Sequence, residues 1–493
     1  MDTPLPLCAA NLAAIAGRAR APAYDRGRLS AGILHFGIGN FHRAHQALYL
    51  DDLLNAGLDH DWAILGAGVR PADAEMRRLL AAQDYLTTVV EQEASASAAR
   101  ITGPMVGFLK PGDTAAILKA LADPAIRIVS LTITEGGYFI DPASGVFDPD
   151  HPEIRADAAA PDDPKTVFGL IVAGLKRRRA AGTVPFTVMS CDNLPHNGAV
   201  TRDAVTGLAR LLDADLARWI ADNVAFPNGM VDRITPATGE RERQLLADDY
   251  GIADGWPVFC EGFRQWVLED RFPAGRPALE RVGVEFVPDV SPYETMKIRI
   301  LNGGHAVIAY PSALMDIHFV HEAMENPLIR AFLDKIEREE IIPVVPPVPN
   351  TDLAAYFRLI EERFANPKIG DTIRRLALDG SNRQPKFILP TVADRLRRGL
   401  PVAGLALEVA LWCRYCFGTT ESGATTAPND PNWDRLTAAA AGARNDPMAW
   451  LAMEDIFGDV GRSDAFRSAF AAALTALWRD GTEEVLRRYV EGG

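Results

Sequence analysis

The 493-residue chain contains no uninterrupted apolar run of about 18 residues, the least that crosses a bilayer as a helix, so no membrane span is expected. Its opening stretch, MDTPLPLCAANLAAIAGRAR, lacks a basic leading segment and holds only a weak alanine-rich run; it does not read as a signal peptide. Basic residues are in deficit: 51 Lys and Arg against 65 Asp and Glu leave a formal charge of -14. A nucleic-acid or anionic-membrane partner requires a basic face, and the balance argues against both. Cysteine is sparse and odd in number, five residues widely scattered, which does not make a disulfide framework. Cys413-Arg-Tyr-Cys416 is an isolated C-x-x-C inside an apolar helical stretch, better suited to two packed thiols than to zinc or redox chemistry. The expectation that remains is a cytoplasmic globular protein, whose 48% hydrophobic and 24% charged content is ordinary for that class.

The first half alternates short apolar strands with helices. Strands are expected at 32–39, 62–69, 85–92, 101–109, 126–134 and 185–193, and helices at 41–57 and 164–182. Such alternation indicates a mostly parallel sheet covered on both faces, an α/β architecture. After about residue 290 helical spacing dominates, including 293–317, 320–339, 402–417 and 463–489, so a mainly α-helical unit follows. The sequence divides at 1–288 and 289–493. The Pro-rich segment IIPVVPPVPN (341–350) reads as an extended loop.

Chemistry-bearing residues gather at strand ends. ILHFGIGNFHRAHQ is a strand, then Gly37-Ile38-Gly39, then a helix start, the beginning of the dinucleotide fingerprint G-x-G-x-x-G. Backbone N–H groups in such a turn face a pyrophosphate at the helix N-terminus. Gly37, Ile38, Gly39, Asn40 and Phe41 are the candidate cofactor-binding residues, although His42 stands where the third glycine would be. After the second strand Asp73 is placed either to accept from an adenosine ribose, favouring NAD, or simply to sit at a helix N-terminus. His35, His42 and His45 have no nearby carboxylate or cysteine to complete a zinc site, and no metal is expected. Asn193, where the strand VMSCDN turns polar, is positioned to donate to a substrate oxygen, and Glu135 ends the strand before Gly136-Gly137.

The segment MKIRILNGGHAVIAY (296–310) reads as a buried apolar helix interrupted by Lys297, Asn302, His305 and a Gly-Gly pair. On an α-helix Lys297 and His305 lie about 80° apart around the axis, and Asn302 about 60° from His305. The glycines would let a ligand approach the helix backbone closely. A desolvated lysine, with its pKa lowered, suits a general base; a snorkelling lysine and a hydrogen-bonded core histidine are the alternative.

Together, GIGNFHRAHQ, LTITEGGY, PKTVFG, VMSCDNLPHNG, MVDRITP, QWVLED and YETMKIRILNGGHA resemble the polyol-specific long-chain dehydrogenases, nearest to the mannitol 2-dehydrogenase branch. The likeness runs in order from about residue 30 to the C-terminus. It implies a Rossmann-type first unit and metal-independent transfer between NAD(H) and a polyol or keto-sugar, most simply D-mannitol and D-fructose. A hexuronate such as fructuronate, or another polyol such as arabinitol or sorbitol, is the alternative. It assigns Lys297 as general base, Asn193 and Asn302 as oxyanion-type donors, and His305 to the substrate or to Lys297. It places Arg375 and Arg383 over the sugar. Arg383 stands where the mannitol enzymes carry lysine, and a guanidinium suits a carboxylate better. Ala72 replaces an acidic residue while Asp73 is retained. A monomer is compatible with the resemblance.

Overall fold

The computed structural model describes residues 3–141 and 145–492. They form two compact units, Met1–Ser291 and Pro292–Gly493.

The first unit is built on five parallel strands in the order Met105–Phe108, Ala63–Ala67, Ala31–Phe36, Ile128–Leu131, Thr187–Ser190. Neighbouring residues along each strand go to opposite cores. Leu34, Val129 and Val188 pack with Phe168, Ile171 and Val205 on one face. Ile33, Ile128 and Met189 pack with Leu50, Leu53 and Trp266 on the other. Both faces are apolar because both are covered, the arrangement a parallel sheet requires. The helix Val167–Ala181 shows why the chain follows this path. Thr166 caps it by accepting from the Gly169 N–H, and Gly182, at φ 65°, ends it in the left-handed region.

The strand order reverses beside Ala31–Phe36. The chain first builds outward through Ala63–Ala67 and Met105–Phe108, then returns to lay Ile128–Leu131 on the opposite side. The carboxyl ends of these two central strands are therefore a topological switch point, where open α/β sheets bind ligands.

The first unit departs locally from the sequence reading. Residues 85–92 and 97–102 leave the main sheet. Thr87–Gln92 pairs antiparallel with Ser97–Thr102 and parallel with Val258–Glu261 in a separate three-stranded sheet. Gly103-Pro104 separates this excursion from Met105–Phe108, because proline cannot continue a ladder in a central strand. The expected helix 41–57 is broken into Asn40–Ala44 and Gln46–Asn55 at His45, whose φ and ψ are -121° and -89°. Arg100 ties the second piece to the small sheet: its guanidinium reaches Asp51 and Asp52 at 2.6 Å each.

The second unit is helical. Ala403–Cys416 runs through its centre against Asp464–Asp480, and Trp412 meets Trp450 and Tyr310 in an aromatic cluster. Cys413 and Cys416 are buried free thiols, pushed upward in pKa by burial. The expected helix 463–489 stops at Gly481, where Asp464–Asp480 ends and Thr482–Glu491 begins. Within the Pro-rich loop, Ile342–Val344 forms a short 3-10 turn. No helix among the described residues is long and apolar enough to cross a membrane.

Candidate active site

At the switch point the turn Gly37–Gly39 is fixed by contact with the neighbouring strand end. Gly37 has φ +96°, and a Cβ there would lie 2.0 Å from the Thr132 carbonyl oxygen. Only glycine fits, for both steric and dihedral reasons. Ile38 is buried against Gly66. Gly39 precedes the helix Asn40–Ala44, and nothing stands within 4 Å of where its Cβ would be. That open space over first-turn N–H groups suits a pyrophosphate.

Asn40 is structural as well as local to this turn. Its Oδ1 accepts from Arg43 (2.9 Å) and the Trp256 indole (3.0 Å). Its Nδ2 donates to the Pro236 carbonyl (3.0 Å) and Thr238 (2.9 Å). Phe41 stacks on His45 with 4.9 Å between centroids. Asp73, in the first turn of Ala72–Ala82, uses Oδ2 to accept from the Val69 and Arg70 N–H groups, each at 2.9 Å. Its carboxylate thus caps its own loop, and Oδ1 has no hydrogen bond among the described residues.

His42, in the third-glycine position, lies flat against His35 with 3.5 Å between ring centroids. Helix and strand approach closely here through stacked imidazoles instead of through a glycine. Burial pushes His35 and His45 down to about 3 and holds His42 well below its usual range. The unfolded chain takes up these protons as pH falls through about 6.5, whereas the folded chain resists until much lower pH. Stability is therefore complete above that point and falls as pH drops toward 3. Denaturant unfolding across pH 7 to 4 is expected to show a steep acid limb. In His42→Phe the limb becomes shallower by about one proton; an unchanged slope would contradict neutral burial of His42.

On the other side of the switch point, Asn193 is exposed at the end of Thr187–Ser190, and Glu135 is exposed at the start of the 3-10 turn Glu135–Tyr138. The residue before Glu135 is unusual: Thr134 has φ 63° and ψ 164°, a region essentially reserved for glycine. For a β-branched residue this costs on the order of 1–3 kcal/mol. Asp192, beside Asn193, supplies the restraint. It accepts from the N–H groups of Ile133 and Thr134 (2.9 Å each) and from the Tyr138 hydroxyl (2.7 Å). Burial raises its pKa, while these three donors pull it back. The quoted motif VMSCDN contained Asp192, but nothing in spacing alone distinguishes it from its neighbours.

Where the second unit begins, the segment from Ser291 onward is not one α-helix. Ser291–Met296 and Gly303–Leu314 are α-helical, and Lys297–Asn302 between them is a π-helical turn. The α-helical azimuths expected for Lys297, Asn302 and His305 therefore do not apply. A π-turn widens the helix by a residue, a feature frequent at functional sites. Lys297 is 6% exposed at the head of the turn, and Asn302 is half-buried at its end.

The Gly-Gly pair is not open to a ligand. A Cβ on Gly303 would face the Phe387 carbonyl oxygen at 3.6 Å, and one on Gly304 would stand 3.2 Å from Glu337 Oε1 and 3.6 Å from Phe364. The glycines admit neighbouring helices. Glu337 is fully buried and held well above the usual carboxylate range by that burial and by Glu361.

His305 stacks on Phe364 with 4.3 Å between centroids. Burial, then the charges of Arg375, Arg363, Arg383 and Lys297, hold it far below its usual pKa. The structure thus groups Lys297, His305, Arg375 and Arg383, and adds Arg363, absent from the sequence reading. Arg375 is paired to Asp371 through Nε and Nη2. Arg383 lies on Gly380–Phe387, its Nη1 donating to the Arg375 and Leu376 carbonyls at 3.1 Å each. Among the described residues no cluster of His, Cys, Asp or Glu is arranged to hold a metal ion.

An α/β unit of this topology is followed by a helical unit bearing a buried lysine, a carboxamide and an imidazole, groups with which an oxidoreductase can move a proton and hold a developing alkoxide. Residues 31–281 match the mannitol dehydrogenase Rossmann domain and residues 289–478 the mannitol dehydrogenase C-terminal domain. The chain belongs to the mannitol dehydrogenase family. It is 64% identical over 470 residues to the mannitol 2-dehydrogenase of Cereibacter sphaeroides, covering 95% of this chain and 98% of that protein. Among solved structures, the Pseudomonas fluorescens mannitol 2-dehydrogenase in ternary complex with NAD and D-mannitol is 44% identical, with a TM-score of 0.87 over 99% of this chain and 100% of that one. A D-sorbitol dehydrogenase in substrate-free form is 36% identical, with a TM-score of 0.89 over 95% and 97%.

Proposed function

We propose that the chain is an NAD-dependent, metal-independent polyol 2-dehydrogenase that interconverts D-mannitol and D-fructose. One observation carries this reading: Lys297, Asn302 and His305 stand in K-x₄-N-x₂-H order on the π-turn and the helix after it, in a chain 64% identical over 470 residues to a mannitol 2-dehydrogenase. The turn Gly37–Phe41 suits the pyrophosphate, because Gly39 leaves free the space a Cβ would fill. Asp73 Oδ1 is the group assigned to the ribose. When bound, NAD accepts the hydrogen that leaves the substrate carbon with its electron pair.

Lys297 takes the hydroxyl proton during oxidation and returns it during reduction. Asn193 and Asn302 donate amide N–H groups to the reacting oxygen as negative charge develops there. His305, neutral among cations, holds a substrate hydroxyl without competing for the proton. Glu135, Arg375 and Arg383 are assigned to the remaining hydroxyls. Arg375 is already neutralised by Asp371 and presents an ion pair, which suits hydroxyls better than a carboxylate. All assigned residues come from one chain, so a monomer suffices, and the reading places the enzyme in the cytoplasm.

A second reading, reduction of a hexuronate such as fructuronate, draws on the four cations around His305 and on the bidentate geometry of Arg383. Sorbitol and arabinitol are further polyol substrates to compare. Initial rates with D-mannitol, D-sorbitol and D-arabinitol plus NAD or NADP, and with fructuronate plus NADH, separate these readings. The largest kcat/KM is expected for mannitol with NAD. A preference for fructuronate of about tenfold or more, about 1.4 kcal/mol in transition-state binding, would replace the reading.

A further inference from the structure

We infer that Asp192 is a positioning residue that locks together the two strand-end loops carrying Asn193 and Glu135; the inference rests on the roles proposed for those two residues. One carboxylate spans both loops. Its backbone belongs to the end of Thr187–Ser190, while its oxygens hold the end of Ile128–Leu131 through the N–H groups of Ile133 and Thr134. The Tyr138 hydroxyl, which also lies 2.6 Å from Ser190 Oγ, adds a third donor from beyond Glu135. Asp192 is itself anchored: its carbonyl oxygen accepts from Asn197 Nδ2 at 3.0 Å, and that amide also donates to the Gly229 carbonyl at 2.8 Å.

The restraint matters because of Thr134. A threonine at φ 63° and ψ 164° leaves that conformation unless something holds it. Its own N–H and that of Ile133 both point into the Asp192 carboxylate, and Glu135 follows directly. Released, Thr134 would return to negative φ and carry Glu135 and the Gly136-Gly137 turn away from Asn193. Asp192 thus acts on substrate position through the backbone, without touching the reacting atoms.

The test uses the full-length enzyme with NAD and its best polyol. Asp192→Asn retains the side-chain shape but turns an amide N–H₂ toward backbone donors. It is expected to lower kcat roughly 10- to 100-fold while NADH affinity, read by fluorescence titration, stays unchanged. Adding Thr134→Gly removes the strain and is expected to restore most of the lost kcat. A purely structural role for Asp192 would not be repaired by glycine at 134. Wild-type kcat in Asp192→Asn, or a double variant as slow as the single one, would overturn the inference. Should Asp192→Asn not fold, Tyr138→Phe withdraws one donor and is expected to lower kcat about 5-fold and speed amide exchange at 133–135. Unchanged kcat and exchange there would equally overturn it. A wild-type enzyme that turns over no polyol would remove the functional reading and this inference with it.

Discussion

Lys297→Ala is expected to lower turnover by roughly 10⁴-fold, through loss of proton transfer and of the charge that stabilises the alkoxide, while NADH binding survives. The separation of effects follows from position. Lys297 opens the π-turn of the helical unit, whereas the residues assigned to the dinucleotide belong to the first unit. Burial also makes the substitution informative. The side chain is 6% exposed, so it does not extend into solvent. Alanine is a strong helix former, so the backbone should persist. Titration of NADH fluorescence and steady-state rates on one preparation check both halves. Turnover within tenfold of wild type would remove Lys297 from the reaction.

Asn302→Ala comes second, with an expected loss on the order of 10²–10³ in kcat, the usual effect of deleting one oxyanion donor. In the reading proposed above, the carboxamides supply the pull on the reacting oxygen. Asn302 ends the π-turn immediately before Gly303, a half-buried place from which its amide N–H₂ can act. Asn302→Asp should be at least as slow, since it keeps the shape but replaces two donors with an acceptor. A change confined to KM in either variant would contradict the role, because uniform binding raises kcat/KM without touching kcat.

Much of the first unit was legible because its signals are local and repeated. Strands such as Ala31–Phe36 and Ile128–Leu131 are mainly apolar, broken only by His35 and Ser130, and Gly37 sits directly after one. The course of Thr87–Gln92 was not legible, since an apolar strand looks alike whichever sheet it joins; its partner, Val258–Glu261, lies far along the chain. The π-turn was hidden for a different reason. It is a shift in backbone pairing with no composition of its own, so Lys297–Asn302 reads as ordinary helix. The Gly-Gly pair was misread because a missing Cβ shows that something comes close without saying what; the answer is Glu337, Phe364 and the Phe387 carbonyl. Arg383 was legible as a substitution, but not the two carbonyls that occupy one of its nitrogens.

The extra residue in the 297–302 turn also bears on which changes this protein tolerates. Were the same residues wound as uninterrupted α-helix, with no bulge to take up the extra residue, every later side chain would swing by about 100°. His305 would leave the Phe364 ring and Gly304 would leave Glu337. Register over these few positions therefore rests on the bulge: a substitution that straightened it would misalign the whole downstream helix, whereas loss of the one extra residue would straighten it with the helix after it kept in place.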